Sequence, residues 1–118
     1  MDARTAILNY QYAERIKSQL IIAFKMLEKL SVLSGEEWSG GEKMLLSYLE
    51  SVSGEIRMAQ SQKESSHLTE VDRKMAEAIG HLKLFEQPEL YKALRDCLTR
   101  ITTSDQLAME ELEVKNLL

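Results

Sequence analysis

The sequence predicts an all-α fold, an up-down antiparallel four-helix bundle, on three observations. Gly and Pro are scarce, at five and one among 118 residues. Apolar residues recur at three- and four-residue steps in four successive blocks, the period of one helical face. No block alternates apolar with polar residues between turn signals, as a half-buried strand does. Short links between successive amphipathic helices make neighbours antiparallel, and a chain of this length supports one hydrophobic core. Residues 1–118 are therefore read as a single domain.

The first block has no Gly or Pro, and Tyr12, Ile16, Leu20, Ala23, Leu27 and Leu30 mark its stripe, which predicts a long helix over 3–33, about 46 Å in length. It should end at "LSGEEWSGG", where glycines let the chain turn. Leu45, Leu49, Val52, Ile56 and Ala59 predict a second helix over 39–61, weakened locally by Gly54. "QSQKESSH", residues 60–67, holds no apolar residue and reads as the next link. Thr69 then suits the N-cap of a third helix over 69–86, with Val71, Met75, Ala78, Leu82 and Phe85 on its stripe. Pro88 separates it from a fourth over 89–117, striped by Leu90, Leu94, Cys97 and Ile101. At "TTSD", residues 102–105, two β-branched residues and a capping residue interrupt the pattern; a kink is expected there, with a split into a fifth helix as the alternative.

Composition excludes several functions. The 15 basic and 19 acidic residues are scattered, with a net charge of -4, so no basic stripe is available to neutralise phosphates and no nucleic-acid partner is expected. Cys97 stands alone, which rules out an intramolecular disulfide or a Cys-x-x-Cys site; its spacing is that of a core thiol. The N-terminal residues lack the apolar core of a signal peptide. The most apolar window, "LIIAFKMLEKLSVL", carries Lys25, Glu28 and Lys29 and falls short of a membrane span. No membrane association is expected, and a cytoplasmic location follows as the default.

"WSGGEK", from Trp38 to Lys43, resembles the signature loop of ABC-type ATPases. That loop works only beside a Walker A loop, and the chain has no Gly-x-x-x-x-Gly-Lys-[Ser/Thr]. A capping box explains the residues more simply: Ser39 accepts the Glu42 amide while Glu42 reaches back to the Ser39 backbone. Ser34-Gly-Glu-Glu37 repeats the device five residues earlier. Trp38, in this Gly-rich corner, should plug the end of the bundle.

Metal chemistry finds little support. A di-iron bundle needs two Glu-x-x-His pairs, and Glu64-Ser-Ser-His67 is the single example, in the polar link. Glu77 and His81 stand at i,i+4, the spacing of an exposed helical pair. Nor do other helical enzymes fit: all-α nucleotide pyrophosphohydrolases need Glu-x-x-Asp, HEPN-type ribonucleases Arg-x-x-x-x-His, and both patterns are missing. Glu110, Glu111 and Glu113 form a solvated helical face. No catalytic, cofactor-binding or metal-binding residue is assigned.

The first helix carries the sharpest functional signal. At about 100° per residue, Ile22, Leu33, Met26, Leu30, Ala23, Leu27, Leu20 and Phe24 fill an apolar arc of about 200°, wider than the roughly 100° stripe of an ordinary surface helix. Either the neighbouring helices cover both edges, or the edge bearing Ile22, Met26 and Leu33 is buried by a second chain. A homodimer is the favoured expectation, because symmetric dimers are the commonest oligomers and Met adapts readily to a partner. The chain thus reads as a non-catalytic helical protein–protein interaction module, an adaptor, chaperone or small subunit. Its size and pattern are similar to those of helical secretion chaperones, a likeness of class. The alternatives are a small-ligand or metal-binding bundle, an enzyme or sensor with its site near His81, and a nucleotide-responsive fragment using the Ser39 corner.

Overall fold

Asp2 opens the first helix. Its Oδ1 accepts a hydrogen bond from the Thr5 amide at 2.8 Å, pairing one of the N–H groups that a helix start leaves without an intrahelical acceptor. The same contact holds the Asp2 carboxyl below its usual range. The computed structural model describes residues 2–62 and 66–117, and four helices occupy most of them: α1 Ala3–Leu30, α2 Gly35–Gln62, α3 Ser66–Lys83 and α4 Gln87–Val114. There is no strand among the described residues, and none of their helices is long and apolar enough to cross a membrane. The predicted all-α four-helix bundle is the fold observed.

The helices form a ring in which α1 packs on α2 and α4, and α3 packs on α2 and α4. The bundle measures 53 × 22 × 19 Å. Ile16, Leu20, Leu49, Ile56, Met75, Leu94 and Ile101 are fully buried along its axis, each worth about 1.5–3 kcal/mol of burial. An ion pair also crosses every seam. Arg15 meets Glu55 at 2.6 Å between α1 and α2, and Arg57 meets Asp72 at 3.6 Å between α2 and α3. Lys74 meets Asp96 at 3.4 Å between α3 and α4, and Lys17 meets Asp105 at 3.3 Å between α1 and α4.

The helix ends differ from the sequence expectation in instructive ways. α1 stops at Leu30, three residues short, where Val32 N bonds to Lys29 O at 3.3 Å and Leu33 N to Leu30 O at 3.1 Å, tightening the chain into a turn. Gly35 completes that turn at φ +60, a conformation open to glycine at no steric cost. α2 then begins at Gly35, not Ser39, so Gly40 and Gly41 are helical. Ser39 is its fifth residue, beyond the four amides a helix start leaves free, and the Ser39–Glu42 capping box is not formed. The earlier Ser34 is the residue at the true start, its carbonyl accepting from the Trp38 amide at 3.4 Å.

α3 starts before Thr69, because Leu68 is already on the buried face; Thr69 is helical and not the N-cap. It ends at Lys83, three residues early, in a Schellman turn: Glu86 N bonds to His81 O at 2.9 Å and Phe85 N to Leu82 O at 3.2 Å. Phe85 takes the left-handed position at φ 61, where glycine is usual. α4 continues through residues 102–105 as one helix, the expected continuation and not the alternative split, and it ends at Val114, three residues before the expected 117. Thr102 and Thr103 face solvent, while Asp105, Ala108 and Leu112 carry the stripe of Leu90, Leu94, Cys97 and Ile101 onward. Thr103 Oγ1 bonds back to Thr99 O at 3.1 Å, so its hydroxyl is satisfied within the helix.

Candidate functional site

α1 and α2 pack against each other along the face where α1 ends. Leu20, Ala23, Leu27 and Leu30 of the wide apolar arc point inward and are buried. Its far edge is covered within the chain: the Phe24 ring meets Tyr91 of α4 edge-on, centroids 5.3 Å apart at 69°. The near edge is covered only in part. Ile22 is 46% exposed, and Met26 and Leu33 are half-buried against the core.

These three residues line one groove of about 300 Å³ with Leu30, Gly41, Met44, Lys25 and Lys29. The structure thus brings Ile22, Met26 and Leu33 together, although Leu33 reaches the groove from the turn after α1 and not from a longer helix. Gly41 makes the groove. A Cβ there would stand 3.0 Å from Leu30 Cδ1 and 3.2 Å from Leu33 Cδ1, so the missing side chain lets the start of α2 close on the end of α1 and leaves the floor open. Met44, 67% exposed, forms the α2 wall. No acidic residue lines the groove, and neither Lys25 nor Lys29 has an ion-pair partner among the described residues.

Two further grooves differ in kind. The one between α3 and α4, about 320 Å³, is lined by Glu70, Arg73, Lys74, Asp96, Thr99, Arg100 and Thr103. Its charges largely pair internally: Arg73 holds Glu70 at 2.8 Å and Glu77 at 2.7 Å, and Lys74 holds Glu77 at 3.3 Å. The Arg73 hydrogen bond lowers the Glu70 pKa, and hydrogen bonds to Glu77 and Asp96 raise that of Lys74. The cleft between α1 and α4, about 350 Å³, carries Glu28 beside Leu27, Ser31, Gln87, Pro88 and Tyr91.

The reactive side chains take structural places. Glu77 does not pair with His81, since the two basic residues on its own helix claim it; His81 Nδ1 instead meets Glu86 Oε1 at 3.2 Å. His67 belongs to α3 and not to a link, while Glu64 lies outside the described residues. No group of three or more His, Cys, Asp or Glu is arranged around a metal position among the described residues. Cys97 Sγ contacts Val71 O at 3.7 Å, and burial pushes its pKa up to about 12. Trp38 packs on the core at the bundle's end, as expected, with its ring 5.1 Å from that of Phe85.

Sequence reasoning missed Met44 and the two lysines. Met44 falls within the expected second helix but off its Leu45 stripe, so the helical period alone does not single it out. Lys25 and Lys29 stand at i,i+4 beside the edge of Ile22, Met26 and Leu33, a spacing visible in the sequence. Asp105 was missed too, although it occupies a stripe position four residues after Ile101. Comparison with known proteins adds no assignment to the site: no protein-family model, curated protein or solved structure matches the chain.

Proposed function

We propose that this chain is a non-catalytic helical interaction module, an adaptor, chaperone or small subunit, that binds another polypeptide through the α1–α2 groove. One observation carries the reading: the open edge of the α1 arc is continuous with Met44 across Gly41, giving an apolar floor walled by two methionines. A groove of this form receives the apolar face of a helix, and methionine walls adapt to the side chains they meet. A second copy is the other occupant to weigh, because the apolar arc of α1 would continue across a two-fold axis.

The test is a photo-crosslinking amino acid placed singly at Ile22, at Met44 and at Met58, which is 62% exposed but outside the groove, in the chain expressed in its native host. Discrete adducts at the first two positions and none at Met58 support the proposal; adducts independent of position, or none at any, defeat it. Light scattering on the purified chain reads the second copy directly. In that case Ile22→Glu or Met26→Glu yields a folded monomer from a wild-type dimer.

A further inference from the structure

We infer that the occupant of the α1–α2 groove is an acidic amphipathic helix from a different polypeptide, one whose apolar stripe is flanked by carboxylates a helical turn apart. The inference rests on the groove being a docking site and goes on to name what docks. Its ground is charge. Lys25 and Lys29 are exposed, stand one turn apart on the α1 lip, and have no ion-pair partner among the described residues. No carboxylate lines the groove, on a chain whose net charge is -4. The α3–α4 groove has its cations largely paired, and the α1–α4 cleft carries Glu28. The α1–α2 groove alone among these three joins an apolar floor to two unneutralised charges of one sign.

Residues at i and i+4 have Cβ atoms about 5–6 Å apart, so two glutamates one turn apart on an incoming helix match the lysine pair. A second copy fits less well. Two-fold pairing of this edge would bring the Lys25 and Lys29 of both copies to one seam whose groove lining offers no acid, and like charges brought together across an interface oppose association. Complementary charge chooses among partners and speeds encounter, while the Ile22, Met26 and Met44 contacts supply the apolar burial.

The probe is a displayed library of helical peptides with a fixed leucine stripe at i, i+3, i+7 and i+11, its flanking positions drawn from Glu, Gln and Lys. Selection on the wild-type chain should enrich Glu over Lys at those positions by at least roughly tenfold. Selection on the Lys25→Glu/Lys29→Glu chain, shown to be folded by circular dichroism, should reverse the preference. Binding of the Glu-rich winners should weaken with salt and shift the methyl resonances of Ile22, Met26 and Met44. Enrichment of the leucine stripe with no preference among Glu, Gln and Lys overturns the acidic assignment while leaving the docking groove in place. A wild-type dimer whose formation shifts the same methyls assigns the groove to a second copy and likewise overturns it. No enrichment, with a monomer and no crosslink at Ile22 or Met44, defeats both readings.

Discussion

Lys17 Nζ stands 3.3 Å from Asp105 Oδ2, joining the first helix to the last across 88 positions of sequence. Asp105 is 3% exposed, and its Oδ1 has no hydrogen-bond partner among the described residues, so one lysine carries most of the compensation for a buried carboxylate. Removing one partner of a buried pair costs about 3–5 kcal/mol, whereas replacing both by apolar residues is often neutral or stabilising. With Lys17 still a third exposed, Lys17→Met should cost about 2–3 kcal/mol in urea unfolding. Lys17→Met/Asp105→Leu should recover most of that loss. A single variant as stable as wild type would show that the pair is a bystander.

Adjacent glycines in α2 make a second contrast. A Cβ at Gly40 meets nothing within 4 Å, whereas at Gly41 it meets Leu30 and Leu33 at 3.0 and 3.2 Å. Gly40→Ala should therefore gain the full helix-interior benefit of about 0.5–1 kcal/mol. Gly41→Ala should gain less, because Leu30 and Leu33 must give way. Equal shifts in urea midpoint would mean that α1 does not press on α2 at this point.

Phe85 holds φ 61 at the end of α3 while its ring packs beside Trp38. Left-handed backbone costs an L residue about 1–2 kcal/mol, and an aromatic pair is worth about 0.5–1.5 kcal/mol. Phe85→Gly exchanges one for the other and should be close to neutral. Phe85→Ala loses the ring and keeps the strain, so it should be the less stable of the two by about 1 kcal/mol. The order is read from thermal melts, and a red shift of Trp38 fluorescence should accompany both variants.

Burial of Cys97 gives the fold an alkaline limit. Below its ordinary pKa of 9.0 the thiol is protonated folded or unfolded and adds no pH dependence. Between 9.0 and about 12 the unfolded chain gives up its proton first, so stability falls as pH rises. Tyr48, raised by burial, and Lys74, raised by Glu77 and Asp96, act in the same direction above 10.0 and 10.5. Urea midpoints should drop through this range, less steeply for Cys97→Ala. The native thiol should also resist alkylation at pH 8 until denaturant is added; rapid modification of the folded chain would contradict its burial.

The stripes were legible because each is a repeated signal: Leu20, Leu49, Met75 and Leu94 stand amid several others at the same period, and all are buried. The ends were not, because each depends on one residue's place in three dimensions. Gly40-Gly41 carries the composition of a turn, yet both are helical, and the glycine at 41 answers to the room that Leu30 and Leu33 take. Residues 102–105 have the chemistry of a cap, yet Lys17, far away in sequence, gives Asp105 a reason to be buried. The groove was half legible for the same reason. The arc of α1 could be drawn from its own residues, but that Tyr91 covers one edge while Met44 only walls an open groove at the other depends on which helices lie alongside.

The ring of helices also governs how the chain reaches its structure. Three of the four seams join helices consecutive in sequence; the fourth, α1 against α4, must bring together segments from opposite ends of the chain. Loop-closure entropy falls most heavily on that seam, and distant contacts are the ones that slow folding. In the antiparallel ring α1 begins and α4 finishes at the same end of the bundle. A circular permutant that links them with a short flexible segment and opens the chain between α1 and α2 would turn the distant seam into a local hairpin. It would pass the burden to the seam that holds the groove, leaving that face the last to close and the first to open.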